Sequence, residues 1–151
     1  MTESLRPAGP GDVTAITALV RAAYGKWVPL IGREPMPMRV DYAKALGQHR
    51  FDLAVEGGTL IGLIETELRD GHLWIENVAV RPEAQGRGIG RRLLAHAEAL
   101  ARAAGLGETR LLTNAAFTDN VALYRRIGYM IDREEPFMNG ITVYMSKALD
   151  R

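Results

Sequence analysis

The sequence predicts an α/β or α+β domain built on a mixed sheet, and three observations carry that prediction. Apolar residues recur at helical spacing in the segments after Asp12 and after Gly90. Strand-like runs separated by glycine turns fill residues 51 to 80. The middle of the chain then reads strand, glycine turn, helix, strand, helix. A length of 151 residues suits one domain spanning 1–151, with no repeat, low-complexity tract or linker to divide it.

The elements follow in order. A short extended piece around Leu5 precedes Pro7, Gly9, Pro10 and Gly11. Asp12 then reads as the cap of a helix carrying Val13, Ile16, Leu19, Val20 and Ala23 on one stripe. Gly25 to Met38 holds three prolines and two glycines and reads as a long loop, a candidate functional segment. Asp41 to Leu46 reads as one or two helical turns ending at Gly47. Phe51–Glu56 and Leu60–Leu68 form a hairpin about Gly57-Gly58, and Asp70-Gly71 turns into Leu73–Val80. The apolar alternation slips between Ile75 and Val78, as a β-bulge would make it do. A helix from about Gly90 to Ala104 ends at Gly105, and Thr109–Thr113 is a short strand. Asp119–Ile127 is a helix stopped by Gly128, and Met130–Arg133 with Ile141–Lys147 closes the sheet.

Composition narrows the functional classes. With 47% apolar and 25% charged residues the chain can bury a core, and no charge-free stretch is long enough to cross a bilayer. Nineteen Lys plus Arg against eighteen Asp plus Glu leave a net charge of +1, which gives no global reason to expect nucleic acid or a membrane as partner. The absence of cysteine excludes thiol nucleophiles, disulfides and thiolate metal sites. The start, Met1-Thr-Glu-Ser-Leu-Arg-Pro, has no apolar run after its charges, so a cytoplasmic location is expected.

The most informative stretch is Asn77-Val-Ala-Val-Arg-Pro-Glu-Ala-Gln-Gly-Arg-Gly-Ile-Gly-Arg-Arg. A glycine-rich turn between strand and helix offers backbone N–H groups and a helix N-terminus to one point, which suits a pyrophosphate. Gly86, Gly88 and Gly90 permit close approach, and Arg87, Arg91 and Arg92 add positive charge. A plain tight turn has the same look, and spacing alone does not choose. The dinucleotide fingerprint G-x-G-x-x-G fails because Arg91 stands where the third glycine belongs, and no Gly-Lys-Ser or Gly-Lys-Thr exists for a triphosphate loop.

Gln85-Gly-Arg-Gly-Ile-Gly90 resembles the Q/R-x-x-G-x-G/A signature of the GNAT superfamily of N-acetyltransferases. Asn120-Val-Ala-Leu-Tyr124-Arg-Arg-Ile-Gly128-Tyr129 is similar to that family's Asn…Ala…Tyr…Gly-Phe/Tyr segment, at the expected distance. The order of elements agrees from Leu5 to Lys147. The resemblance implies a mixed, mostly antiparallel sheet of six to seven strands flanked by helices, with a splay between strands 73–80 and 109–113. It implies acetyl-coenzyme A as cosubstrate, its pyrophosphate on Gln85, Gly86, Arg87, Gly88, Ile89, Gly90 and Arg91. Its pantetheine arm would enter the splay, where backbone N–H groups of Val78, Ala79 and Val80 would polarise the thioester carbonyl.

Acetyl transfer to an amine needs a proton removed from the amine, an oxyanion stabilised, and a thiolate that leaves protonated. Tyr124 is the candidate general acid, one helical turn after Asn120, with packing at a helix–sheet contact as the other use of a lone tyrosine. Asn120 resembles the family's coenzyme A-binding asparagine, or is an ordinary helix-start residue. Glu76, on the bulge, is the candidate base, directly or through water, or a holder of the ammonium; an exposed strand residue would look the same. Glu65 and Glu67 share that ambiguity. His49, His72 and His96 have no metal-ligand spacing, and no metal is expected. Tyr24, Trp27 and Gly32-Arg-Glu-Pro35 fall in the long loop, which in this superfamily helps wall the acceptor site. The reading is direct transfer to a primary amine on a small molecule or a protein. The rivals are a non-catalytic acyl-CoA-binding module and a nucleotide enzyme of another kind. The acceptor is left open, as is the choice between monomer and homodimer.

Overall fold

Three consecutive strands, β2 (Arg50–Glu56), β3 (Thr59–Arg69) and β4 (His72–Val80), pair antiparallel in a computed structural model that describes residues 4–150. They form part of a seven-stranded sheet of order β1-β2-β3-β4-β5-β7-β6. Its remaining strands are β1 (Ser4–Pro7), β5 (Glu108–Asn114), β6 (Met130–Phe137) and β7 (Gly140–Ala148). Among the described residues only the β4–β5 pair is parallel. The mixed, mostly antiparallel sheet expected from the resemblance is therefore observed.

Helices cover both faces, which explains why β3 is buried along a continuous run rather than in alternation. Helix α1 (Val13–Tyr24) lays Ile16, Leu19 and Val20 on Phe51, Leu53 and Leu63. Helix α4 (Ile89–Ala103) lays Leu93, Leu94, Ala97 and Ala101 on Ile64, Leu73, Ile75 and Leu111. Three shorter helices are α2 (Val28–Ile31), α3 (Tyr42–Ala45) and α5 (Thr118–Ile127).

The bulge falls on Glu76. Thr66 faces Ile75 and Glu65 faces Asn77, so Glu76 has no opposite number on β3. The extra residue shifts the phase: Leu73 and Ile75 belong to the α4-side core, and after the bulge Val78 and Val80 pack against that same core. Ala79 joins the α1-side core instead. Beyond the bulge β4 also parts from β5. Their pairing covers Leu73–Ile75 with Thr109–Leu111, while β5 stays paired with β7 as far as Asn114. The edge of β4 from Glu76 to Val80 thus faces an open splay, as expected, because bulges end pairing and sharpen twist.

Three local expectations change. Asp12 is not a side-chain cap of α1, since its carboxylate accepts from Gly9 N–H at 2.8 Å and pairs with Arg6 at 2.8 Å. The Arg6 hydrogen bond holds that carboxyl down at about 2. Asp41 does cap, accepting from Ala43 N–H at 3.0 Å. Residues 25 to 38 are not plain loop but helical turns, Gly25–Trp27 and Met36–Arg39 flanking α2 with its early Pro29. Strand β6 runs on to Phe137, because an edge strand tolerates Pro136.

Candidate active site

The glycine turn opens one cleft. Gln85, Gly86, Gly88, Ile89, Gly90 and Arg91 line it, together with Val78, Ala79 and Val80 of β4 and Asn120 and Tyr124 of α5. Gly86 and Gly88 both have φ of +82°, a left-handed conformation that strains any other residue. A Cβ on Gly86 would meet nothing within 4 Å, so the turn leaves open room in front of its backbone. Gln85 Nε2 donates to the Val80 carbonyl at 3.2 Å, tying turn to strand.

Lys26, Arg91 and Arg126 bring positive charge to this cleft from three different elements. That set differs from the expected one. Arg87 does not line the cleft; its guanidinium pairs with Glu56 of β2. Lys26 and Arg126 were not singled out, because nothing local distinguishes them from surface charge. The donor-rich turn, the open room and three cations fit a pyrophosphate-bearing ligand.

A second pocket lies on the other side of the splay. Glu76 and Asn77 of β4, Leu112 to Asn114 of β5, Arg33, Met36 and Phe137 all line it. Glu76 is exposed there, and its carboxylate accepts from Trp74 Nε1 at 2.7 Å. The pocket therefore contains the expected candidate base beside the gap.

Tyr24, Val78, Asn120 and Tyr124 line both pockets. They mark the place where a ligand in one cleft can meet a ligand in the other. Tyr124 is nearly buried, yet its hydroxyl makes no hydrogen bond among the described residues. Burial pushes its pKa up to about 12, so it holds its proton at neutral pH. Asn120 is no helix cap, for its side chain has no hydrogen-bond partner there either. Leu123 lines the first cleft beside Gly90.

Tyr24 belongs to α1 rather than to a loop. It continues the Ile16–Val20 stripe by one turn, so its ring points at the sheet and its hydroxyl donates to Asn77 Oδ1 at 2.7 Å. That spacing was the available signal. Asn77 Nδ2 in turn donates to the Tyr42 hydroxyl at 3.2 Å, which donates to the Pro37 carbonyl at 2.7 Å. Trp27 stacks on Phe117 at 4.4 Å, linking the segment after α1 to the turn before α5.

His49 is more informative than its position suggested. Its Nδ1 is 2.7 Å from Glu65, a carboxylate buried in the sheet, and its Nε2 is 3.4 Å from Glu67. Among the described residues, no group of three or more His, Asp or Glu could hold a metal ion, and no helix is long and apolar enough to cross a membrane.

A sheet splayed at a bulge, with a glycine turn leading into the following helix, is the arrangement that the sequence resemblance implied. Residues 16–129 match the family model described as acetyltransferase (GNAT) family, and the chain belongs to that family. Over 82 residues it is 39% identical to the IAA acetyltransferase of Azospirillum brasilense, covering 53% of this chain and 54% of that one. Over 86 residues it is 37% identical to the aminoalkylphosphonate N-acetyltransferase of Salmonella typhimurium, covering 52% and 55%. The match thus spans about half the length of these curated relatives. The PaiA N-acetyltransferase of Thermoplasma acidophilum, crystallised with coenzyme A, has the same fold: TM-score 0.85 at 18% identity, covering 98% of this chain and 99% of that one.

Proposed function

We propose that the chain, as one domain, is an acetyl-CoA-dependent N-acetyltransferase that moves the acetyl group directly to a primary amine. The observation that carries this reading is the junction of the two clefts at Tyr24, Val78, Asn120 and Tyr124. Acetyl-CoA bound in the first cleft supplies an activated thioester acyl group. The backbone of Gln85 to Gly90 with Arg91, Lys26 and Arg126 holds its phosphates. The unpaired edge of β4 from Val78 to Val80 presents N–H donors to the acyl carbonyl, and Asn120 adds a side-chain partner.

Tyr124 carries a proton at its hydroxyl for the departing sulfur, and its raised pKa keeps that proton in place until the thiolate needs it. Glu76 draws the ammonium form of the acceptor and takes its proton, directly or through water, so that the neutral amine attacks. No cysteine is present to carry an acyl intermediate, in keeping with direct transfer. The setting proposed is the cytoplasm.

The test is an acceptor screen that reads free thiol release, beside calorimetry with acetyl-CoA. Amine-dependent thiol release supports the reading. Tight acetyl-CoA binding without turnover of any amine would instead make the chain a cofactor-sensing module.

A further inference from the structure

The acceptor pocket carries charge of both signs. Glu76 enters from the bulge of β4, and Arg33 enters from the segment after α2. Arg33 is engaged at one corner only: Nη1 donates to the Glu34 carbonyl at 3.2 Å, and the guanidinium lies 5.7 Å from the Phe137 ring. Its nearest acid in sequence, Glu34, is taken by Arg21 at 3.3 Å. No carboxylate among the described residues pairs with Arg33.

The Nε atom of Arg33 is shielded from solvent and has no hydrogen-bond partner among the described residues. A shielded N–H without an acceptor is unfavourable, and native proteins rarely keep one without a use. The Nε–Nη2 edge left over is the pair of parallel donors that a carboxylate or phosphonate accepts. The Phe137 ring, 5.7 Å from the guanidinium carbon, is an apolar neighbour of the same group. The pocket itself has a volume of about 120 Å³, close to the ~150 Å³ cavity that accepts a benzene ring. A small molecule fits such a space.

We propose that the acceptor is a short primary amine bearing an acidic group, carboxylate or phosphonate, with the acid docked on Arg33 and the amine drawn to Glu76. This rests on the acetyl-transfer reading, since it orients the amine toward the junction at Tyr24, Val78, Asn120 and Tyr124. A bound acid reaches the Nε–Nη2 edge by a shift of the Arg33 side chain, whose one hydrogen bond among the described residues is to the Glu34 carbonyl.

Matched acceptors test it. 3-Aminopropanoate and 2-aminoethylphosphonate are compared with 3-aminopropanamide, which has similar reach and the same kind of amine but no negative charge. The wild type is expected to favour at least one acid by about 10- to 100-fold in kcat/KM, the scale of a charge-assisted hydrogen-bonded pair. Arg33→Met should collapse that ratio to near unity, and Arg33→Lys, which keeps charge without the fork, should give an intermediate ratio. The better acid tells carboxylate from phosphonate. Calorimetric binding of the three compounds to the coenzyme A-loaded protein should give the same order without any turnover, and acetyl-CoA binding with a melting curve shows that each variant is folded.

Equal use of all three compounds by the wild type, or an acid preference that survives Arg33→Met, overturns the proposal and leaves acetyl transfer standing. Preferential acetylation of an amidated peptide at its free N-terminus also overturns it. Absence of thiol release with every amine overturns the acetyl-transfer reading instead, and the calorimetric order then decides the Arg33 site alone.

Discussion

The Tyr24 hydroxyl donates to the side-chain carbonyl of Asn77 at 2.7 Å, joining the last turn of α1 to the residue after the β4 bulge. Asn77 is almost fully buried, so this bond decides whether its amide oxygen has a donor. Tyr24→Phe leaves that oxygen unsatisfied and should destabilise the protein by about 1–3 kcal/mol. Urea unfolding with an unchanged m-value checks it. A variant as stable as wild type would show that Asn77 finds another donor.

Tyr124→Phe should behave differently. The Tyr124 hydroxyl has no hydrogen-bond partner among the described residues, so its removal should leave stability within about 0.5 kcal/mol of wild type. On the proposed mechanism only the proton for sulfur is lost, and kcat should fall by about 10²- to 10⁴-fold with acetyl-CoA affinity nearly unchanged. Single-turnover measurement with a good acceptor separates this from slow product release. Full turnover would make Tyr124 a packing residue, and lost cofactor binding would make it a binding one.

Glu76→Gln keeps an acceptor for the Trp74 indole N–H, so the bulge should survive the change. The expected result is lower kcat/KM for the amine, most marked near neutral pH where amines are protonated, and smaller at high pH. Cofactor affinity should not change. An identical pH profile in the two proteins would remove Glu76 from the chemistry.

Gly88→Glu puts a side chain and a negative charge where the phosphates are proposed to lie. The left-handed backbone at φ +82° adds strain of about 1–2 kcal/mol. Gly71, at φ +83° in the β3–β4 turn, supplies a control of equal strain remote from the cleft. Calorimetry should find acetyl-CoA binding abolished in Gly88→Glu and intact in Gly71→Glu. Equal affinities would take the pyrophosphate away from this turn.

The His49–Glu65 pair should make stability depend on pH. Burial raises the Glu65 carboxyl above its ordinary value, only partly offset by His49. Burial lowers the His49 ring, but the Glu65 hydrogen bond and the charges of Glu65, Glu67 and Glu76 together outweigh it and leave it above 6.5. Both groups bind protons more tightly in the folded state. The histidine's contribution is therefore complete below 6.5 and is lost as pH rises through the raised folded value. Melting temperature should fall as pH rises above 6.5, and His49→Gln should flatten that slope. A slope unchanged by the substitution would assign it to other groups.

Local backbone chemistry was written plainly in the chain. The slip of apolar phase between Ile75 and Val78 located the bulge, and Gln85 to Gly90 located the turn that leads into α4. Gly105 likewise ended α4, with φ +75° and the Leu106 N–H reaching back to the Ala101 carbonyl at 2.9 Å. These features depend on residues near one another in sequence, so their conformations follow from which side chains, or none, each φ and ψ will admit. Motif spacing carried Asn120 and Tyr124 to one face of α5 for the same reason.

Side-chain partners across long separations were decided by tertiary structure. Arg87 and Arg91 stand in one short cationic run, yet one pairs with Glu56 and the other lines the cleft. Asp12 turned from α1 toward Arg6, Tyr24 met Asn77 across 53 positions, and His49 met Glu65. A long side chain has several rotamers within reach of several partners. Which pairing wins depends on the elements packed beside it and on the solvent they exclude, and neither is a property of the local sequence.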